Sequence, residues 1–78
     1  MRITRADGLL TVAQVAELCG VGEAAVRMSF SRGYLLRDGS ARIVLPVARK
    51  EGRLNLVDPV EAAKYEYHTR VRARRAAA

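Results

Sequence analysis

The feature that most constrains this chain is the stretch Gly20-Val21-Gly22. Ahead of it, Leu10-Thr11-Val12-Ala13-Gln14-Val15 carries the marks of a helix start. Thr11 stands at the capping position, Gln14 completes a capping box, and Leu10 and Val15 have the spacing of a hydrophobic staple. Val12, Val15, Ala16 and Cys19 then share one face, and Gly20 stands where a glycine ends a helix, so the pattern predicts a helix over 11–19. Glu23 opens a second helix, its charge in the first turn where the helix dipole favours it. Ala25 or Val26 together with Phe30 form its buried side, and Gly33 terminates it. Only Val21 and Gly22 separate the two helices, so the second must turn sharply away from the first, with Val21 as an apolar pivot in the core.

Two short helices joined so tightly form a helix-turn-helix unit. Beyond it the period changes from helical to alternating. Tyr34-Leu35-Leu36 leads into Arg37-Asp38-Gly39-Ser40, whose Asp-Gly is a strong hairpin signal, and then into Arg42-Ile43-Val44-Leu45. Pro46 lacks an N–H for a ladder, so this strand is an edge or bends there. A second reversal at Arg49-Lys50-Glu51-Gly52 returns the chain into Arg53-Leu54-Asn55-Leu56-Val57. Leu54 and Leu56 fall on one face, Arg53 and Asn55 on the other. The middle of the chain is therefore expected to be a small antiparallel sheet with basic turns.

Asp58-Pro59-Val60-Glu61 restarts a helix: a capping Asp, a proline at the first helical position and a glutamate to complete the box. Val60, Ala63 or Lys64, Tyr67 and Val71 follow as its apolar stripe, and Glu66 is spaced to pair with Arg70. Tyr65 and Tyr67 are expected to pack this helix and rim it, with His68 at the surface. The arginine- and alanine-rich residues from about 70 to 78 read as a basic extension that frays. The whole is one α+β domain, residues 1–78.

Composition narrows the function. Among 78 residues there are one Cys and one His, which excludes an internal disulfide and leaves no cluster for zinc. No signal peptide and no membrane-length apolar run are visible, which leads to the expectation of a cytoplasmic protein without a membrane partner. No nucleophile, base and orienting group stand out, and the glycines of GVGEAA lie between helices rather than after a strand. An enzyme, a cofactor and a small-molecule ligand are all unexpected. Fourteen Lys and Arg, all but two of them arginine, outnumber eight Asp and Glu to give a net charge of +6, which raises the expectation of a polyanionic partner.

The segment TVAQVAELCGVGEAAVRMSFSRGYL resembles the core of the winged helix-turn-helix proteins of the MerR and phage-excisionase type. The matching features are Val15 and Ala16, the turn at Gly20-Val21, then Ala25-Val26-Arg27 and the closing Arg32-Gly33-Tyr34-Leu35. The later LNLVDPVEAAKYE is similar to the passage from that family's wing into its next helix, so the resemblance spans residues 10 to about 67. Two positions depart from the pattern. Ser29 stands where an aromatic commonly follows the arginine, with Phe30 next, and Gly22 stands where a serine cap is common.

The resemblance implies a recognition helix over residues 22–32 in the major groove of double-stranded DNA, presenting Glu23, Ala24, Arg27, Met28, Ser31 and Arg32. Arg27 would contact a guanine edge or an adjacent phosphate, and Ala24 and Met28 would meet thymine methyls. Arg49, Lys50 and Arg53 would be the wing tip beside it. Arg37 and Arg42 are weaker candidates. Arg2 and Arg5 read as mobile solvated charge rather than as a basic arm, and Arg70, Arg72, Arg74 and Arg75 add sequence-independent affinity, solubilise, or repel a second copy.

The resulting expectation is a DNA-binding regulator or excisionase-like recombination factor. With no effector domain in 78 residues it would self-associate on DNA to gain specificity. The competing functions are the DNA-recognition subunit of a phage packaging terminase, and a protein-interaction module such as an antitoxin or adaptor with an apolar patch of Met28, Phe30 and Tyr34.

Overall fold

A computed structural model describes residues 5–77, with side chains over 5–69. The elements run α1 Val12–Cys19, α2 Glu23–Ser31, β1 Tyr34–Leu35, β2 Arg42–Ile43, β3 Arg49–Glu51, β4 Leu54–Leu56 and α3 Pro59–Ala77. This is a small α+β fold of three helices and two antiparallel hairpins. Arg2 and the side chains of Arg70, Arg72, Arg74 and Arg75 lie outside the described set, as does that of Val71.

The start of α1 is the expected capping box. The Gln14 N–H donates to Thr11 Oγ1 at 3.2 Å and the Thr11 N–H donates to Gln14 Oε1 at 2.9 Å, so two donors that would be orphaned at the helix start are satisfied reciprocally. At the other end Gly20 turns left-handed at φ 70°. The Val21 N–H then reaches back to the Ala16 carbonyl at 3.1 Å, the long bond of a Schellman ending. Val21 packs against the core as the pivot, and the chain is redirected into α2 within two residues. Gly22, extended at φ −78°, opens α2 without a side-chain cap.

On α2 the buried residues are Val26 and Ser29, with Phe30 packed against the core beside them and Ala25 exposed. Ser29 is a polar residue at 4 % exposure, and its hydroxyl is fully used. It donates to the Ala25 carbonyl at 3.0 Å and shares a 3.2 Å hydrogen bond with the Tyr65 hydroxyl from α3. The small side chain leaves room for the Tyr65 ring, which meets Tyr34 edge-on with centroids 4.9 Å apart. Two rings from β1 and α3 thus fill the space beside the small Ser29 side chain.

The sequence led us to expect one sheet; there are two separate two-stranded ones. Tyr34 pairs with Ile43 and Leu35 with Arg42 in the first, closed at the Asp-Gly turn, where the Gly39 N–H donates to the Leu36 carbonyl at 2.9 Å. After Ile43 the strand is abandoned. Leu45, fully buried, gives its N–H to the Ser29 carbonyl of α2 at 2.9 Å rather than to a strand. Pro46 has no N–H to resume a ladder. The second hairpin pairs Arg49 with Leu56, Lys50 with Asn55 and Glu51 with Leu54. Its reversal falls at Gly52-Arg53, with Gly52 at φ 60°. Arg49 and Lys50 therefore belong to a strand and not to the turn where the sequence placed them.

Leu10 and Val57 exchange backbone hydrogen bonds of 2.9 and 2.8 Å, which ties the chain ahead of α1 to the end of β4. The core joins Leu10, Val12, Val15 and Cys19 to Val26, Tyr34, Leu45, Val57, Ala62 and Tyr65.

Asp58 caps α3 as expected, its Oδ1 accepting from the Val60 N–H at 2.8 Å. The glutamate expected to complete that box, Glu61, instead faces Lys64 at 3.4 Å. The buried face of α3 carries Ala62 and Tyr65. Val60 at 64 % and Tyr67 at 56 % are exposed, so the expected stripe points outward. Two stripes were available at helical spacing, and the one with Tyr65 won because only its ring and hydroxyl are received by Tyr34 and Ser29. No helix of the described residues is long and apolar enough to cross a membrane.

The glycines of the helix pair separate experimentally. A Cβ added at Gly33, where φ is 77°, would lie 2.5 Å from the Ile43 carbonyl oxygen, whereas none added at Gly20 or Gly22 meets anything within 4 Å. In denaturant unfolding we expect Gly33→Ala to cost more than about 2 kcal/mol and Gly20→Ala roughly 1–2 kcal/mol for its left-handed backbone alone. Gly22→Ser should gain about 0.3 kcal/mol by supplying the missing cap.

Candidate nucleic-acid interface

Because Val26, Ser29 and Phe30 turn inward, the rest of α2 faces solvent. Glu23, Ala24, Arg27, Met28, Ser31 and the capping Arg32 are all exposed, as the sequence placed them. Arg27 Nη2 lies 2.9 Å from Glu23 Oε1 one turn back, with the two side chains 61 % and 48 % exposed. Such a surface pair is worth only a few tenths of a kcal/mol, so either group exchanges its partner readily. The Ser31 hydroxyl donates back to the Met28 carbonyl at 3.3 Å. Of the expected apolar patch, Met28 is 51 % exposed, but Tyr34 is buried at 6 % and Phe30 is partly buried against the core. The three do not form one open surface, because β1 turns Tyr34 inward against Tyr65.

On the second hairpin, Lys50 and Arg53 are exposed and make no ion pair among the described residues. Arg49 is different. Its guanidinium contacts the carboxylates of Asp7 and, at 2.6 Å, Glu51. Arg5 reaches the same two carboxylates, bidentate on Asp7 at 3.0 and 3.1 Å and on both Glu51 oxygens at 3.1 Å. Two arginines and two carboxylates thus form a locally neutral cluster that fastens the chain ahead of α1 to β3.

Arg49, expected as a wing-tip cation, is held by these acids, and Arg5, expected as mobile solvated charge, is anchored with it. Arg5–Asp7 and Arg49–Glu51 are each two residues apart, but the contacts that join the two pairs span 42 and 46 positions, so no local spacing reveals the cluster. The only trace in the sequence is the pair of isolated acids in basic surroundings. Within the cluster the Asp7 carboxyl is held down to about 2, first by the Arg5 guanidinium and then by the Leu9 N–H.

The first hairpin also uses its cations. Arg37 lies 4.7 Å over the Tyr67 ring, and its backbone N–H donates to His68 Nδ1 at 2.7 Å. His68 is consequently half-buried and ties α3 to the hairpin turn, a role that its expected surface position did not suggest. Arg42 Nη1 donates to the Gly33 carbonyl at 3.1 Å, beside the end of α2. No group of three or more His, Cys, Asp or Glu that could hold a metal occurs among the described residues. The chain matches no family model, and no curated protein or solved structure matches it.

The Asp7 cluster has an acid signature. A carboxyl whose folded pKa is lowered to about 2 stabilises the fold fully above the unfolded value near 3.9, and that contribution is lost as pH falls from about 4 to about 2. Thermal melts across this window should show Asp7→Asn starting from a lower stability near neutrality and losing less on acidification than the parent. Equal acid sensitivity of the two proteins would remove Asp7 from the cause.

Proposed function

We propose that this protein binds double-stranded DNA as a small winged helix-turn-helix module, with α2 in the major groove and the β3–β4 hairpin as its wing. The observation that carries the proposal is the exposed arc of α2: the second helix of a tightly joined pair, whose one arginine is held by nothing stronger than a solvent-exposed ion pair. Arg27 has the reach and the fork of donors for guanine O6 and N7. Glu23, released from it, accepts from a cytosine amino group, and Ala24 and Met28 offer apolar contact to thymine methyls. Ser31 and Arg32 border this surface. On the wing the contacts fall to Lys50 and Arg53, with Arg49 bracing the hairpin from behind.

Three or four side chains on one helix read only a few base pairs. Useful selectivity therefore requires several copies on repeated or inverted sites, which suits a compact regulator or a recombination factor that organises DNA by occupancy. The alternative of a protein-contact module draws its support from Met28, half-exposed in the middle of α2. Its binding would change little with salt, whereas binding to phosphates falls steeply.

Titration against random and selected duplexes at two salt concentrations separates the two. We expect salt-sensitive, sequence-selective binding, with Arg27→Ala losing about 1–3 kcal/mol of discrimination. Absence of any duplex binding at low salt would sink the proposal.

A further inference from the structure

Between α2, the first hairpin and α3 lies an open cleft of about 540 Å³ lined by Met28, Arg32, Tyr34, Arg42, Tyr65 and Thr69, among others. Among the described residues two arginines are the only ionised groups in its lining, and no carboxylate of those residues lines it. We infer that this cleft seats the sugar–phosphate backbone of one DNA strand, with Arg32 and Arg42 as its cations and no part in reading bases; the inference rests on the DNA-binding function proposed above.

The cleft holds charge left over. Elsewhere among the described residues the cations are mostly committed: Arg5 and Arg49 to Asp7 and Glu51, Arg27 to Glu23, Lys64 to Glu61, and Arg37 to the face of Tyr67. Arg32 and Arg42 have no carboxylate partner among those residues. Arg42 is nonetheless oriented, because one of its five N–H donors is spent on the Gly33 carbonyl at 3.1 Å. A held guanidinium with donors to spare, beside a second one, is arranged for an anionic oxygen of a phosphate.

The rest of the lining narrows the ligand. Met28, half-exposed, gives the cleft its open apolar surface above a nearly buried floor of the two tyrosines, and Thr69 adds a hydroxyl. An inorganic anion uses only the cations, whereas a deoxyribose phosphate presents an apolar sugar face beside its charge. Position agrees. Met28 and Arg32 stand one turn apart on the flank of α2 next to Arg27, and a helix lying in the major groove has the strand backbones along its flanks.

The test uses the full chain with Arg32→Gln, Arg42→Gln and the double variant, each checked for an unchanged circular dichroism melt. Glutamine removes the charge but keeps an N–H donor for the Gly33 carbonyl. The Arg32 side chain makes no hydrogen bond among the described residues, so its variant keeps the fold. Binding to random and selected duplexes is followed over a salt series.

We expect the double variant to flatten the slope of log K against log salt by about one to two units, at about 0.9 for each phosphate no longer neutralised. It should weaken both duplexes by the same factor, whereas Arg27→Ala narrows the difference between them. If the double variant keeps the parent slope while the parent binds DNA and Arg27→Ala loses selectivity, the cleft is not a backbone seat, though DNA binding by α2 stands. If the parent binds no duplex, both fall together.

Discussion

Much of this fold hangs on the missing side chain at Gly33. The backbone of Ile43 occupies the place where a Cβ would be, so the end of α2 and the first hairpin touch main chain to main chain. That close approach directs the residues on either side of it. Tyr34 is turned inward onto Tyr65, Arg42 reaches the Gly33 carbonyl, and two residues past Ile43 the Leu45 N–H finds the Ser29 carbonyl. A hairpin with two residues per strand has little stability of its own. It persists here because its partner is the end of a helix rather than a third strand.

The same compactness explains the serine in the middle of α2. A buried hydroxyl is costly unless its hydrogen-bonding capacity is used, and Ser29 uses it twice, on its own helix and on α3. The Tyr65 hydroxyl in turn keeps a partner while its ring takes the core volume. Burial raises the pKa of both Tyr34 and Tyr65 above that of an ordinary tyrosine, in keeping with rings committed to packing. α2 and α3 are thus registered by a specific polar contact as well as by apolar area.

What was legible in the sequence was local. The Thr11–Gln14 box, the Gly20-Val21-Gly22 junction, the Asp-Gly turn and the Asp58 cap each depend on residues close together in the chain, and each is found where the pattern put it. The exposed arc of α2 was legible for the same reason, once Val26 and Phe30 marked its inner side. The facing of α3 was not. Val60 and Tyr67 make as good a stripe as Ala62 and Tyr65, and the choice is made by Ser29 and Tyr34, far back in the chain. Nor were the Arg5–Asp7–Arg49–Glu51 cluster or the placing of Arg32 and Arg42 in one cleft. Ion pairs and clefts are assembled by tertiary geometry and leave no periodic trace. The position of the second turn was missed because a charged run reads equally as loop and as exposed strand, and all of β3 is exposed.

The pairing of Glu23 with Arg27 leaves α2, over Glu23–Ser31, with no net charge. In the proposed complex this divides the work in time. Long-range attraction to a polyanion comes from cations placed off that helix, so they govern encounter and let the protein move along any duplex. A neutral reading surface adds nothing to the grip on a wrong site and leaves dissociation from it fast. Only where matching bases replace the internal pair does residence lengthen, so selectivity is expressed in how long the protein stays and not in how quickly it arrives.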